Sequence, residues 1–216
     1  MEGLKEELYF LEHIGKNYSS SDLKIMIVGD SHYCGECDEC GVRGDCSYES
    51  MEGCRGITQK AVKDYLAWRK GKRDKANWMS KTYYPFDKIF YGKKEVSLDE
   101  SLELWSRIVF CNFVQTAISE GTSNNNYKAA DYRESSPLVW ETIKKYNPDI
   151  VIVWGSKSYG KLPEENWLNR NSYSGFYKMD DGRYMKCMKI WHPRCAPQEL
   201  WHKNIMDFIN DSHLPQ

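Results

Sequence analysis

The sequence predicts an α/β fold, a three-layer α/β/α sandwich around a mostly parallel central sheet. Three observations carry this. Short apolar runs at residues 23–28, 108–114, 150–155 and 185–191 alternate with segments of helical period. The runs are apolar nearly throughout, as strands covered on both faces are. All four strand ends carry polar or charged groups, and in an open parallel sheet ligands collect beyond the carboxyl ends of the strands.

At 216 residues one core suffices, so the expectation is a single domain over 1–216 with a cysteine-rich insertion at about 34–56. A formal net charge of -1 leaves no basic field to hold bulk nucleic acid from a distance, so any phosphate contact must come from a local patch. The 8 Trp and 15 Tyr suit a site that handles planar groups as well as a core. The charged start and the lack of an apolar run near eighteen residues predict a cytoplasmic protein without a membrane partner, its cysteines reduced. Nothing in the sequence indicates an oligomeric state.

Leu4, Leu8 and Leu11 recur at helical spacing, which predicts an amphipathic helix over 2–14 stopped near Gly15. The first strand, 23–28, ends at Gly29 and is followed by Asp30, Ser31, His32, Tyr33 and Cys34. Either this is a polar turn in which Asp30 and Ser31 cap the next helix, or it is a site. Thr58 is placed to cap a helix running to about Arg69. The basic run from Arg69 to Lys75 then reads as a solvated helix end that suits the dipole, or as a phosphate-contacting patch. The aromatic stretch 74–96 has no clear period and suits a groove lining or a lid tether. Ser97 and Glu100 make a capping box for the next helix.

Asn112 interrupts the second strand run. An amide there must be hydrogen-bonded, as structural glue or as a specificity group facing a site. Residues 119–135 read as polar loop, after which Ser136 caps and Pro137 opens a helix. The third strand ends in Gly155-Ser156-Lys157-Ser158, a short anion-binding type of turn. Residues 163–184 read as loop with an edge hairpin about Asp181-Gly182. The last strand ends at His192-Pro193-Arg194-Cys195, and a closing helix over 198–209 turns Leu200, Ile205, Phe208 and Ile209 inward.

Five of the 8 cysteines, Cys34, Cys37, Cys40, Cys46 and Cys54, fall in one glycine-rich loop. A reduced loop of this kind needs a staple, and four thiolates around a structural zinc would supply one. Cys37, Cys40, Cys46 and Cys54 are the preferred set, with Cys34 able to replace one; the alternative is no metal, with Cys34 lining the pocket.

Taken together, the strand ends resemble those of the uracil-DNA glycosylase superfamily. That family places a glycine and a polar tip after its first strand, written GQDPY or GEAPG in two branches, and here the tip is Gly29-Asp30-Ser31-His32-Tyr33. Its middle motif sets an Asn at the end of an apolar strand, matched by Asn112, and its last, HPSP followed by Leu, is matched by His192-Pro193-Arg194-Cys195-Ala196. The resemblance spans roughly residues 23–209 and implies a uracil-DNA glycosylase-like fold with the base pocket at the strand ends. The tip has His32 where the family has proline. Its carboxylate is Asp30 as in the GEAPG branch, with Ser31 at the GQDPY aspartate. Ala196 stands where a leucine wedges into duplex DNA.

What the resemblance implies is hydrolysis of the N-glycosidic bond of uracil or a related damaged base in DNA, single-stranded or flipped. Asp30 would orient water and balance charge on the sugar, and His192 would donate to the base oxygen. Asn112 would read the imide edge, Tyr33 would wall the pocket, and Phe110, Phe113 or Tyr48 would stack on the base. Ser31 and Arg194 would contact substrate, with His32 an added acid–base or phosphate-contacting group. Lys72, Arg73, Lys157 and Arg194 would form a positive groove. Some branches hold an iron–sulfur cluster with a dispersed cysteine set, a pattern this clustered loop does not follow. Two other classes stay open: a non-catalytic nucleic-acid or nucleotide binding protein of the same fold, and a hydrolase or transferase of a nucleoside-like small molecule.

Overall fold

A computed structural model describes residues 7–34, 54–116, 118–119 and 129–211. The expected apolar runs form strands β2 (Ile25–Gly29), β4 (Ile108–Asn112), β6 (Ile150–Trp154) and β9 (Tyr184–Ile190). These four lie side by side in the order β4-β2-β6-β9 and are mutually parallel, so their carboxyl ends share one edge of the sheet. Antiparallel strands flank them: β1 (His13–Ile14) beside β4, and β8 (Ser174–Lys178) with β7 (Trp167–Leu168) beside β9. The protein is therefore α/β with a seven-stranded mixed sheet. The expected turn at Asp181-Gly182 joins β8 to β9, and Gly182 takes the positive φ of 83° that a side chain would strain. A second, two-stranded parallel pair joins β3 (Tyr33–Cys34) to β5 (Ile118–Ser119) just past the ends of β2 and β4.

Alternate residues of each parallel strand enter two separate cores, one on each face. Met26, Val28, Val109, Cys111, Val151 and Val153 face a cluster that includes Tyr132, Val139 and Ile143 of helix α4 (Ala129–Tyr146). Ile25, Ile27, Ile108, Phe110, Ile150 and Ile152 face the other. That second core takes Val62 and Tyr65 of α1 (Ile57–Arg69), Phe86 and Ile89 of α2 (Tyr84–Tyr91), Leu104 and Trp105 of α3 (Leu98–Arg107), and Trp201 and Ile205 of α6 (Gln198–Asn210). The central strands are buried on both sides, which is why they lack alternation. The capping box forms as expected: Ser97 Oγ accepts from Glu100 N–H, and Glu100 accepts from Ser97 N–H.

Several expectations are corrected. Residues 7–12 are not helical. Leu8, Tyr9 and Phe10 are buried in succession, which one face of a helix does not allow, and Phe10 N–H donates to Gln115 Oε1 (2.8 Å). Thr58 lies inside α1 rather than at its cap, which is Gly56. Within the aromatic stretch 74–96 the chain is helical over 77–91, with a π-helical turn at Met79–Tyr83; Tyr83 and Phe86 are buried in the core, while Phe90 and Tyr91 line a pocket with Leu23 and Leu104. Helix α4 starts at Ala129, eight residues before Pro137, because Tyr132 and Ser135 already pack inward. In α6 Leu200 is exposed and Trp201 takes the inward place.

Candidate functional site

The shared edge of the parallel strands collects the chemistry. Gly29 ends β2 opposite Asn112 at the end of β4. A Cβ on Gly29 would stand 2.2 Å from Asn112 Oδ1 and 3.1 Å from the Phe110 ring, so only glycine lets the amide lie against the neighbouring strand. The chain beyond Gly29 stays pinned: Phe113 N–H donates to Gly29 O and Val114 N–H to Asp30 O, both at 2.9 Å. Asp30 therefore has a fixed backbone although it lies past its strand.

Its side chain is fixed as well. Ser158 Oγ, from the short helix α5 (Ser156–Gly160) after β6, donates to Asp30 Oδ1 at 2.7 Å. Tyr132 Oη, from α4, donates to the same oxygen at 3.2 Å. Among the described residues no hydrogen bond reaches Oδ2, and the carboxylate is partly open to solvent. Gly155 makes the α5 turn possible with φ 108°. Two hydroxyls on one oxygen orient the carboxylate.

His192 closes the same edge from β9, two strands and so about 10 Å from β2. Its Nδ1 accepts the Arg194 backbone N–H at 3.3 Å, which puts the proton of the neutral ring on Nε2. Burial lowers its pKa, the Asp30 carboxylate pulls it back up, and Arg194 lowers it again. In its neutral form the ring offers Nε2–H as a donor at this edge. Its ring stands at 6.3 Å and 78° from Trp154, which fixes one wall.

His32 and Asn112 form a second, deeper unit. His32 Nε2 lies 2.7 Å from Thr58 Oγ1 and 2.8 Å from Asn112 Nδ2, and the Phe10 ring packs edge-on at 5.1 Å. Burial lowers the His32 pKa to about 4, so this imidazole stays neutral and accepts. The expectation of an acid–base or phosphate-contacting His32 is corrected: it is buried and bound within the fold. Asn112 ties the end of β4 to His32 through one amide N–H, and His32 in turn reaches Thr58 of α1.

Phe110 is likewise corrected. Its ring is enclosed by Tyr83, Trp105 and Trp154 and has no face for a base. Phe113 is buried and tilts against Tyr132. Ser31 lies at the strand end, half-buried, and Arg194 is exposed. Lys72 and Arg73 do not reach this edge. They follow the last turn of α1, about 20 Å along its axis from Thr58, and Arg73 pairs with Asp64 at 3.0 Å. The side chains of Tyr33 and Cys34, and all of Cys37, Cys40, Cys46 and Tyr48, lie outside the described residues. Cys54 is half-buried beside Tyr9 and Phe10. Among the described residues no group of three or more His, Cys, Asp or Glu is arranged to hold a metal, and no helix is long and apolar enough to cross a membrane.

Three positioning residues escaped the sequence reading. Ser158 stood in the turn marked for anions, whereas Tyr132 fell in a stretch read as loop and Thr58 was read as a cap. Their partners are 102, 128 and 26 residues away in the chain, a separation no local pattern reports. No protein-family model and no curated protein matches the chain.

Proposed function

We propose that this protein is a hydrolase of the DNA glycosylase type, built on a three-layer, uracil-DNA glycosylase-like sandwich, that releases uracil or a related damaged base. The observation carrying this is Asp30: a carboxylate with one oxygen tied by Ser158 and Tyr132 and, among the described residues, no hydrogen bond on the other, on the same strand-end edge as His192. In the reaction the N-glycosidic bond breaks with its electron pair moving onto the base. His192 Nε2–H stabilises the negative charge growing on the base oxygen. Asp30 offsets the positive charge on the sugar and orients the water whose oxygen bonds to C1′, taking the water proton. The base must be unpaired or flipped to reach these groups. A structural zinc on Cys37, Cys40, Cys46 and Cys54 belongs to the same proposal and has no part in the chemistry.

One observation favours a second reading. One N–H of the Asn112 amide is engaged by His32 and the residue is 4% exposed, which leaves an imide edge only its remaining N–H and Oδ1 to meet. That suits a hydrolase of a nucleoside-like small molecule, or a nucleotide-binding protein without cleavage. Base release from uracil-containing single-stranded and mismatched DNA, run beside free deoxyuridine, tests both readings. Release from DNA that disappears in Asp30→Asn and His192→Ala supports the first. Release from the nucleoside alone, or binding without release, replaces it.

A further inference from the structure

Beside His192 lies an aromatic surface that the proposed chemistry does not use. Trp191 and Tyr173 are 48% and 55% exposed, large values for rings of this size. Both lean on the buried Trp201, with centroids at 6.2 Å in each case. Tyr173 is held in place: Asn171 Oδ1 accepts the N–H groups of Tyr173 (2.7 Å) and Ser174 (2.9 Å), and Tyr173 O accepts Lys189 N–H (2.8 Å). The Lys189 ammonium lies 5.2 Å from the Tyr173 ring. Among the described residues neither Lys189 nor Arg194 is paired with a carboxylate. The run from Lys189 to Arg194 thus sets exposed rings between two available cations, with His192 among them. A groove of about 800 Å³ is lined by Tyr173 and Trp201 and, further along, by Asp207 and Asp211.

We propose that Trp191 and Tyr173 are a stacking platform for the unpaired nucleotides flanking the one held at Asp30 and His192, making a single strand the substrate form. This rests on the nucleic-acid reading above. Base–aromatic stacking is tolerant of sequence, and cations beside the rings hold the backbone. Duplex DNA offers these rings no open base face. Ala196, half-buried against the core, is too short to pry one open.

The test is fluorescence anisotropy of the full chain with a labelled oligothymidylate of about twelve nucleotides and with a duplex of equal length. Trp191→Ala, Trp191→Phe and Tyr173→Ala are compared, with circular dichroism to verify folding. The expected result is tighter binding of the single strand, weakened about tenfold or more by each alanine, the range that stacking one base covers. Phenylalanine at 191 restores most of it. Equal or tighter duplex binding, or unchanged binding in both alanine variants, overturns the platform while base release from single strands would leave the glycosylase reading standing. Absence of binding to either oligonucleotide overturns both.

Discussion

Gly29→Ala is the sharpest test of how the strand ends are built. The added Cβ would stand 2.2 Å from Asn112 Oδ1 and 3.1–3.2 Å from two Phe110 ring atoms. Both neighbours sit on β4, whose pairing with β2 fixes Gly29 directly opposite Asn112. An ordinary contact needs more than 1 Å of retreat, and the Asn112 amide can yield only by leaving His32. Overpacking of this kind costs about 1–3 kcal/mol, and stranding the buried His32–Asn112 pair adds about 1–3 kcal/mol. The expected loss in urea unfolding is therefore about 2–6 kcal/mol. Asn112→Ala removes the colliding oxygen, so Gly29→Ala made in that background should cost at least 1 kcal/mol less, a coupling of about the size that contacting residues show. Strict additivity, or a loss below about 0.5 kcal/mol for Gly29→Ala alone, would refute the packing argument.

Other outcomes follow from the same contacts. His32, with its pKa lowered by burial from the ordinary 6.5 to about 4, stays unprotonated in the fold between those values while the unfolded chain takes up the proton. It contributes stability that is present above pH 6.5 and is lost as pH falls towards 4, about 3 kcal/mol in all, and its ring protons should show no NMR titration above pH 5. Asp87 works in the opposite sense. Burial raises its pKa from 3.8 to about 6, against the donors Ser101, Tyr65 and Trp105 and the charge of Arg69. Its contribution is fullest below pH 3.8 and declines by about 3 kcal/mol as pH rises through 6, so stability of Asp87→Asn against pH should lack that decline. Ser158→Ala and Tyr132→Phe free the oriented oxygen of Asp30, and each should slow base release about tenfold in kcat with little change in binding; a change in KM alone would argue against a positioning role. Metal analysis of protein purified without chelator should find about one zinc per chain if the cysteine loop is stapled as proposed, and none if it is not.

The sheet was legible because its signal is local. Residues 25–29, 108–111 and 150–154 are apolar on both faces, and 184–190 is interrupted only by Lys186 and Lys189; runs of this kind, bounded by Gly29 and Gly155, permit little else. The capping box and the hairpin at Asp181-Gly182 were legible for the same reason. Elements whose form depends on a distant partner were not. Residues 7–12 carry leucines at helical spacing, yet their backbone bonds go to Gln115 and Arg55. Tyr132 looked like loop because its reason to be helical is the far core and Asp30. At the site, Asp30 and His192 draw notice by their place after glycine or strand. The pairing of His32 with Asn112 was not legible, because nothing local in the sequence says that two polar residues eighty positions apart satisfy each other.

The account's central claim is that Asp30 and His192 form a hydrolytic centre at the strand ends. Single-turnover release of uracil from a single-stranded oligonucleotide, wild type against Asp30→Asn, tests it most directly. The account predicts an abasic product from wild type and a rate at least 100-fold lower in the variant, the loss expected on removing a positioned base and charge. An equal rate in both proteins, or no abasic product from folded wild type, would contradict it.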